Sequence, residues 1–212
     1  MKVRIVLDVA CAWSFLGFTH YLRAVERFRA EGGVVETGFL PFQVAPDAPT
    51  HGEPLREVHR RVFGPAAEER TADFTALAAR SGLDVRFDRA VFANTRAAHG
   101  LIARATVQGA GERTAALLFD AYFTEGRNVA DPAVLRDVAA RSGVDGDPDR
   151  DSDGDAAAVA AGFRTTAELG VRSVSLFLFE DGSTVSGARS ADAFLAALRE
   201  ADGAMARAGN AA

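Results

Sequence analysis

The chain has 212 residues, 48% of them apolar and 25% charged, which is enough for one sizeable domain, or one core plus a satellite subdomain, and is unlike a disordered chain. An excess of only 5 negative charges at pH 7 supplies no broad positive field, so nucleic acid is not an expected partner. No continuous apolar stretch approaches the roughly 18 residues that would span a bilayer, and the opening residues lack the pattern of a signal peptide, so the expectation is a cytoplasmic protein with no membrane partner.

In chain order, Val3, Ile5 and Leu7 alternate with Arg4 and Val6 and predict a first strand that ends at Asp8. From Phe15 the apolar residues Phe18, Leu22, Val25 and Phe28 recur at helical spacing until Glu31-Gly32-Gly33 stops them. Val34 to Leu40 then reads as a second strand, closed by Pro41. A β-α-β unit of this kind normally joins parallel strands by a right-handed crossover.

Helical patterns follow over Leu55–Phe63, Ala66–Arg80, Arg89–Gln108, Glu112–Glu125 and Asp131–Arg141, with no strand signal between them. Gly82, Gly109, Gly126 and Gly143 mark C-termini, and Asp131-Pro132 is a capping pair. An acidic loop, Asp145 to Asp155, leads into a helix over Ala156–Leu169. Its aspartates imitate the opening of a calcium-binding loop, but Ala160 stands where a bidentate Glu is required, so a solvated loop is expected. Val174 to Phe179 is a strongly apolar strand, Asp181-Gly182 a hairpin turn, and Thr184 to Ser186 the start of the return strand. Ser190 caps a last helix that buries Phe194, Leu195 and Leu198, and the residues from 201 on are expected to fray. Sheet-forming ends around a helical middle give an α/β fold: residues 1–45 and 169–200 close one sheet, and 46–168 form an inserted helical subdomain.

Cys11 is the one cysteine in the chain, so no internal disulfide is available and dithiol oxidation within the chain is excluded. It lies in Cys11-Ala12-Trp13-Ser14, where a strand hands over to a helix. Unpaired amides and the macrodipole at a helix start favour a thiolate, and Ser14, one turn on, can donate its hydroxyl to the sulfur. A serine cannot resolve a mixed disulfide, so exchange at Cys11 must end with an external thiol. From the residues alone two roles stay open for Cys11, a reactive thiolate or a small buried hydrophobe. Trp13 belongs on the exposed rim, while Phe15, Phe18, Tyr122 and Phe123 read as core, and of the 15 phenylalanines only those near Cys11 are candidates to line a site. Asn94 and His99 lie at one end of the long middle helix, with His99 either bonded to backbone at the junction or lining the site. No histidine is spaced with Cys11 or a carboxylate as a zinc site requires, so no metal is expected, and no phosphate-binding loop or serine-hydrolase elbow occurs.

A series of segments resembles one family along nearly the whole chain: Asp8-Val9-Ala10-Cys11-Ala12-Trp13-Ser14, Phe39 to Phe42, Asn94-Thr95 with Ala98-His99, Leu118 to Gly126, Asp131 with Val134-Leu135, Glu168-Leu169-Gly170-Val171, and Ser186-Gly187-Ala188. The chain resembles the DsbA-like thioredoxin-fold superfamily, in its FrnE-like cytoplasmic branch, related to 2-hydroxychromene-2-carboxylate isomerases and kappa-class glutathione transferases. The resemblance implies a thioredoxin-like fold with a large helical insertion and catalysis at Cys11 and Ser14, with Ala12, Trp13, Val174 and Ser175 docking the substrate. It implies a protein or small-molecule thiol or disulfide as partner, no cofactor beyond a low-molecular-weight thiol co-substrate, and a homodimer as one assembly.

Two departures fall at that site. Relatives carry Cys-Pro-Trp-Cys where this chain has Cys11-Ala12-Trp13-Ser14, so the nucleophile is kept and the resolving cysteine lost. They also carry a cis-proline in Gly-Val-x-x-Val-Pro, where this chain has Gly170-Val171-Arg172-Ser173-Val174-Ser175. A cis bond costs roughly 2.5–4 kcal/mol before a non-proline residue, against about 0.5–1 before proline, so the 174–175 bond is expected to be trans. The function expected is a divergent thiol–disulfide oxidoreductase acting as a monothiol. The alternatives are a non-redox member that binds a protein or small molecule, and a transferase- or isomerase-like enzyme that uses glutathione.

Overall fold

The computed structural model describes residues 1–146 and 152–209; residues 147–151 of the expected solvated loop, and residues 210–212, lie outside them. β1 (Lys2–Leu7) leads into α1 (Ala12–Ala30) and β2 (Glu36–Pro41). β1 and β2 are parallel, in register from Lys2 opposite Glu36 to Leu7 opposite Pro41, as the crossover predicts.

The insertion opens with β3 (Glu53–Pro54), α2 (Leu55–Phe63), a 3-10 turn at Gly64–Ala66, and α3 (Ala67–Arg80). β4 (Val91–Phe92) follows and pairs antiparallel with β3, a ribbon where no strand was expected. α4 (Arg96–Val107) therefore starts seven residues later than its apolar stripe suggested. The reason lies in the backbone, since Val91 and Phe92 satisfy their polar groups on β3, and the Asn94 carboxamide oxygen takes the Arg96 amide at 3.0 Å to restart the chain as helix. α5 (Gly111–Phe119) runs on as a π-helical turn, Asp120–Thr124. α6 (Pro132–Ser142) begins on the Asp131 cap and ends on Gly143 in the left-handed region. α7 (Ser152–Glu168) returns the chain to the sheet.

β5 (Leu176–Phe179) pairs antiparallel with β1, and β6 (Thr184–Ser186) with β5, giving the strand order β2-β1-β5-β6. α8 (Ala191–Gly209) continues through the residues expected to fray, because Ala201 is fully buried and holds that part of the helix on the core. α1 and α8 pack together, with Tyr21, Phe177 and Phe194 meeting at centroid distances of 5.3, 5.8 and 4.5 Å. α4 and α7 pack on β2. Phe15 of α1 stacks on Phe119 and Phe123 at 5.2 and 5.7 Å, so the insertion and the sheet share one buried cluster.

The Val174–Ser175 bond is cis, against the local preference for trans. That preference is set by the dipeptide alone, whereas here the surroundings hold Ser175: it is 1% exposed, its carbonyl accepts the Gly187 amide at 2.9 Å, and its hydroxyl lies against Gly17 of α1.

Candidate active site

Cys11 is the N-cap residue of α1, with extended backbone angles (φ −97°, ψ 111°) that leave its amide free to close a turn on the Asp8 carbonyl at 3.0 Å. Its side chain is half-buried. The Ser14 hydroxyl and the amides of Ser14 and Trp13 act on the sulfur in the sense that favours the thiolate, as the helix start predicts. Burial outweighs them and pushes the thiol up from its ordinary value, with the Asp8 carboxylate adding in the same direction. The expected neutral-pH thiolate is thus corrected: the amides are in place, but desolvation by residues from distant segments costs the charge more than they return.

Asp8 was read only as the end of the first strand, and it anchors the loops beside the sulfur. It is 1% exposed, its carboxylate accepts the Ala10 amide at 3.3 Å and the Val44 amide at 2.7 Å, and His99 lies 3.5 Å away. The carboxylate ties the Cys11 loop to the loop after β2, so that Ala10 and Val44 stand on either side of one cavity.

That cavity, of about 510 Å³, opens in front of Cys11, Ala12 and Trp13 and is closed by Leu55 and His59 of α2, Phe74 of α3, and Phe87 and Phe123 beyond. Trp13 is 52% exposed at its rim, as expected, and meets Phe74 edge-on. Phe15 and Phe18 are core, also as expected. The phenylalanines on the cavity come from the insertion rather than from the neighbourhood of Cys11 in sequence, and Phe123, expected as core only, is both fully buried and a wall of the cavity. Helical spacing in α3 shows that Phe74 faces inward; nothing in that spacing names Cys11 as what it faces.

Of the other site candidates, Ser14 lies fully buried beneath the sulfur, and its hydroxyl finds no partner of ordinary hydrogen-bond geometry. Ser175 is buried against α1 at Gly17, its hydroxyl likewise without a partner, and Val174 beside it is half-buried. Asn94 and His99 are not brought to the Cys11 cavity. Asn94 bonds Gln43 and the Pro46 carbonyl at 3.0 and 2.7 Å and lines a separate cavity of about 340 Å³ between α4 and α7. His99 is 4% exposed and donates to the Phe42 carbonyl at 2.9 Å, the structural alternative for a junction histidine. No helix among the described residues is long and apolar enough to cross a membrane.

A family model described as the DSBA-like thioredoxin domain matches residues 2–199. The structure of a probable DsbA oxidoreductase from Streptomyces coelicolor superposes with a TM-score of 0.82 at 29% identity, over 96% of this chain and 90% of that one. The cytosolic disulfide reductase DsbM from Pseudomonas aeruginosa, in a structure with GSH, gives 0.65 at 19% identity over 94% and 98%. A 2-hydroxychromene-2-carboxylate isomerase gives 0.63 at 15% over 99% and 98%. At those two lower identities the likeness is one of fold. No curated protein matches the sequence.

Proposed function

The chain belongs to the DSBA-like thioredoxin domain family, and on that premise we propose that it is a thiol–disulfide oxidoreductase working through the single thiol of Cys11, with an external thiol completing each exchange. The observation that carries this reading is the placement of a half-buried cysteine at the N-cap of α1, lining a cavity, with Ser14 where a second thiol would be needed to resolve it. Cys11 attacks one sulfur of a substrate disulfide, forms a mixed disulfide and releases one substrate thiol. A low-molecular-weight thiol then attacks the mixed disulfide, leaves with the remaining substrate half as a new disulfide, and regenerates the Cys11 thiol. One disulfide enters and one leaves, so no electron acceptor is needed.

Burial raises the cost of the Cys11 thiolate both as the nucleophile of the first step and as the leaving group of the second, so both steps are slow at neutral pH, and Cys11, regenerated at each turn, sets no net direction. The external thiol that completes each exchange is at hand in a compartment rich in reduced thiols, which supports a cytoplasmic setting.

Mass spectrometry of the protein treated with 2-hydroxyethyl disulfide tests the proposal. One adduct per chain is expected, lost in Cys11→Ser and released by added dithiothreitol. Because burial raises the thiol, the rate climbs with pH and reaches half its maximum above the ordinary value of 9.0, with no plateau at neutral pH. Absence of any adduct at a pH above 9.0 overturns the reading. A second reading, binding without redox turnover, is favoured by the buried Ser175, whose carbonyl is already taken by Gly187. It predicts that Cys11→Ser leaves the biological activity intact.

A further inference from the structure

The second cavity, of about 340 Å³, lies where α4, α6 and α7 converge and shares no lining residue with the one at Cys11. α4 faces it with Arg96, Gly100 and Arg104 in one row and Ala97 and Leu101 beside them, each row at the four-residue spacing that keeps side chains on one helix face. Small residues make the space. Gly100 stands so near α7 that an added Cβ would lie 3.1 Å from the Asp155 Cβ, and Ala97, Ala130 and Ala156 leave the gap around it unfilled. Leu101, Leu135 and Val159, all buried, floor the cavity with aliphatic surface, and no aromatic ring among the described residues lines it. Aliphatic surface of this kind is costly to leave to water.

The two ends of the Arg96–Gly100–Arg104 row differ in charge. Arg104, its side chain 9% exposed, reaches Asp155 at 3.5 Å, so that end closes on an ion pair. Arg96 at the other end lies over the Phe163 ring of α7 at 5.6 Å, a contact that fixes the guanidinium without neutralising it, and no carboxylate pairs with it among the described residues. The first turn of α4 holds no acidic side chain either. A positive planar fork at one end of an aliphatic floor is complementary to a carboxylate that carries a hydrocarbon tail, and the volume lies in the range of small-molecule pockets.

We infer that this cavity binds a medium-chain aliphatic carboxylate, its head group on the Arg96 guanidinium and its tail along Leu101, Leu135 and Val159. Asp155, already held by Arg104, keeps the head group away from the far end by charge repulsion. The site is independent of thiol exchange at Cys11 and stands whether or not that exchange occurs.

Calorimetric titration of the wild-type protein with octanoate is expected to show one saturable site, with the urea midpoint rising as it fills. Arg96 is exposed, so Arg96→Gln leaves the fold intact and weakens binding about tenfold, the worth of a hydrogen bond to a charged group. Butanoate, with the same head group and a shorter tail, binds at least about tenfold more weakly, since each buried methylene is worth about fourfold. Octylamine, with the tail kept and the charge reversed, is weakened by at least about the same factor. Ala97→Leu combined with Ala156→Leu fills the cavity from its exposed rim and abolishes binding with the circular dichroism unchanged. Cys11→Ser binds octanoate as the wild type does. No saturable binding at millimolar octanoate, equal binding of butanoate or octylamine, or full affinity in a folded Arg96→Gln or double-leucine protein overturns the inference. Loss of octanoate binding in Cys11→Ser places the ligand in the other cavity and overturns it as well.

Discussion

Cys11 and Ser14 stand one helical turn apart, so a hydroxyl occupies the position from which a second thiol would resolve a mixed disulfide. The sulfur receives the help of the helix start and is still held protonated, because the cavity walls and Asp8 remove more stabilisation from the thiolate than the amides restore. His59 is governed by the same desolvation with the opposite sign of charge. Its folded-state value lies below the ordinary 6.5, so as pH falls through 6.5 the unfolded chain takes up a proton that the folded chain refuses, and stability drops until the folded value is passed. Urea denaturation between neutral pH and about pH 5 is expected to show this loss in the wild type and a shallower one in His59→Leu, which has no such proton to bind. An unchanged slope in His59→Leu assigns the acid sensitivity to other groups. At this scale the sequence placed Cys11 at the helix cap and Trp13 on the exposed rim, because both follow from local pattern. It did not expose Asp8, His59 or Phe74, whose roles arise only from what other segments bring against them.

Among the elements, α7 fastens the insertion to the sheet. Its Thr166 hydroxyl donates to the Pro41 carbonyl at 3.0 Å, and Gly162 lies so close to the Pro41 ring that an added Cβ would sit 2.5 Å from Cδ. A pyrrolidine at the end of a paired strand has no soft rotation by which to yield. Gly162→Ala is therefore expected to cost about 1–3 kcal/mol in urea denaturation despite the better helix propensity of alanine. Gly154→Ala, near the exposed start of the same helix with nothing within 4 Å of the added Cβ, should instead gain about 0.5–1 kcal/mol. Equal effects at the two positions would show that α7 does not press on β2. The α5 helix is held in a comparable way: Glu112 accepts from Thr37 of β2 at 2.6 Å and from Arg29 of α1 at 2.9 and 3.0 Å. Helices were legible where apolar spacing ran into a glycine or a capping pair, as at Asp131 and Gly143. The short β3–β4 ribbon was not, because two residues per strand carry too little periodicity to distinguish them from the start of a helix.

Across the whole molecule one buried cluster runs from Val3 and Phe177 in the sheet to Leu118, Phe123 and Val138 in the insertion. A shared core predicts a single cooperative transition. Trp13, the one tryptophan, reports on the junction because it packs on Phe74 of α3, so its fluorescence and the far-UV circular dichroism should trace the same urea curve. Two separated curves would make the insertion an independent folding unit. The sequence by itself determined the α/β layout, the parallel crossover, the helical insertion and a cysteine at the head of α1, since these follow from periodicities of two and 3.6 residues and from capping chemistry that act over one or two turns. Tertiary structure alone decided the protonation of that cysteine, the cis bond at Val174–Ser175, the removal of Asn94 and His99 from the site, and the aromatic chamber built from four distant segments. Desolvation and packing are sums over neighbours, and a pattern along the chain shows which face is buried without showing what buries it.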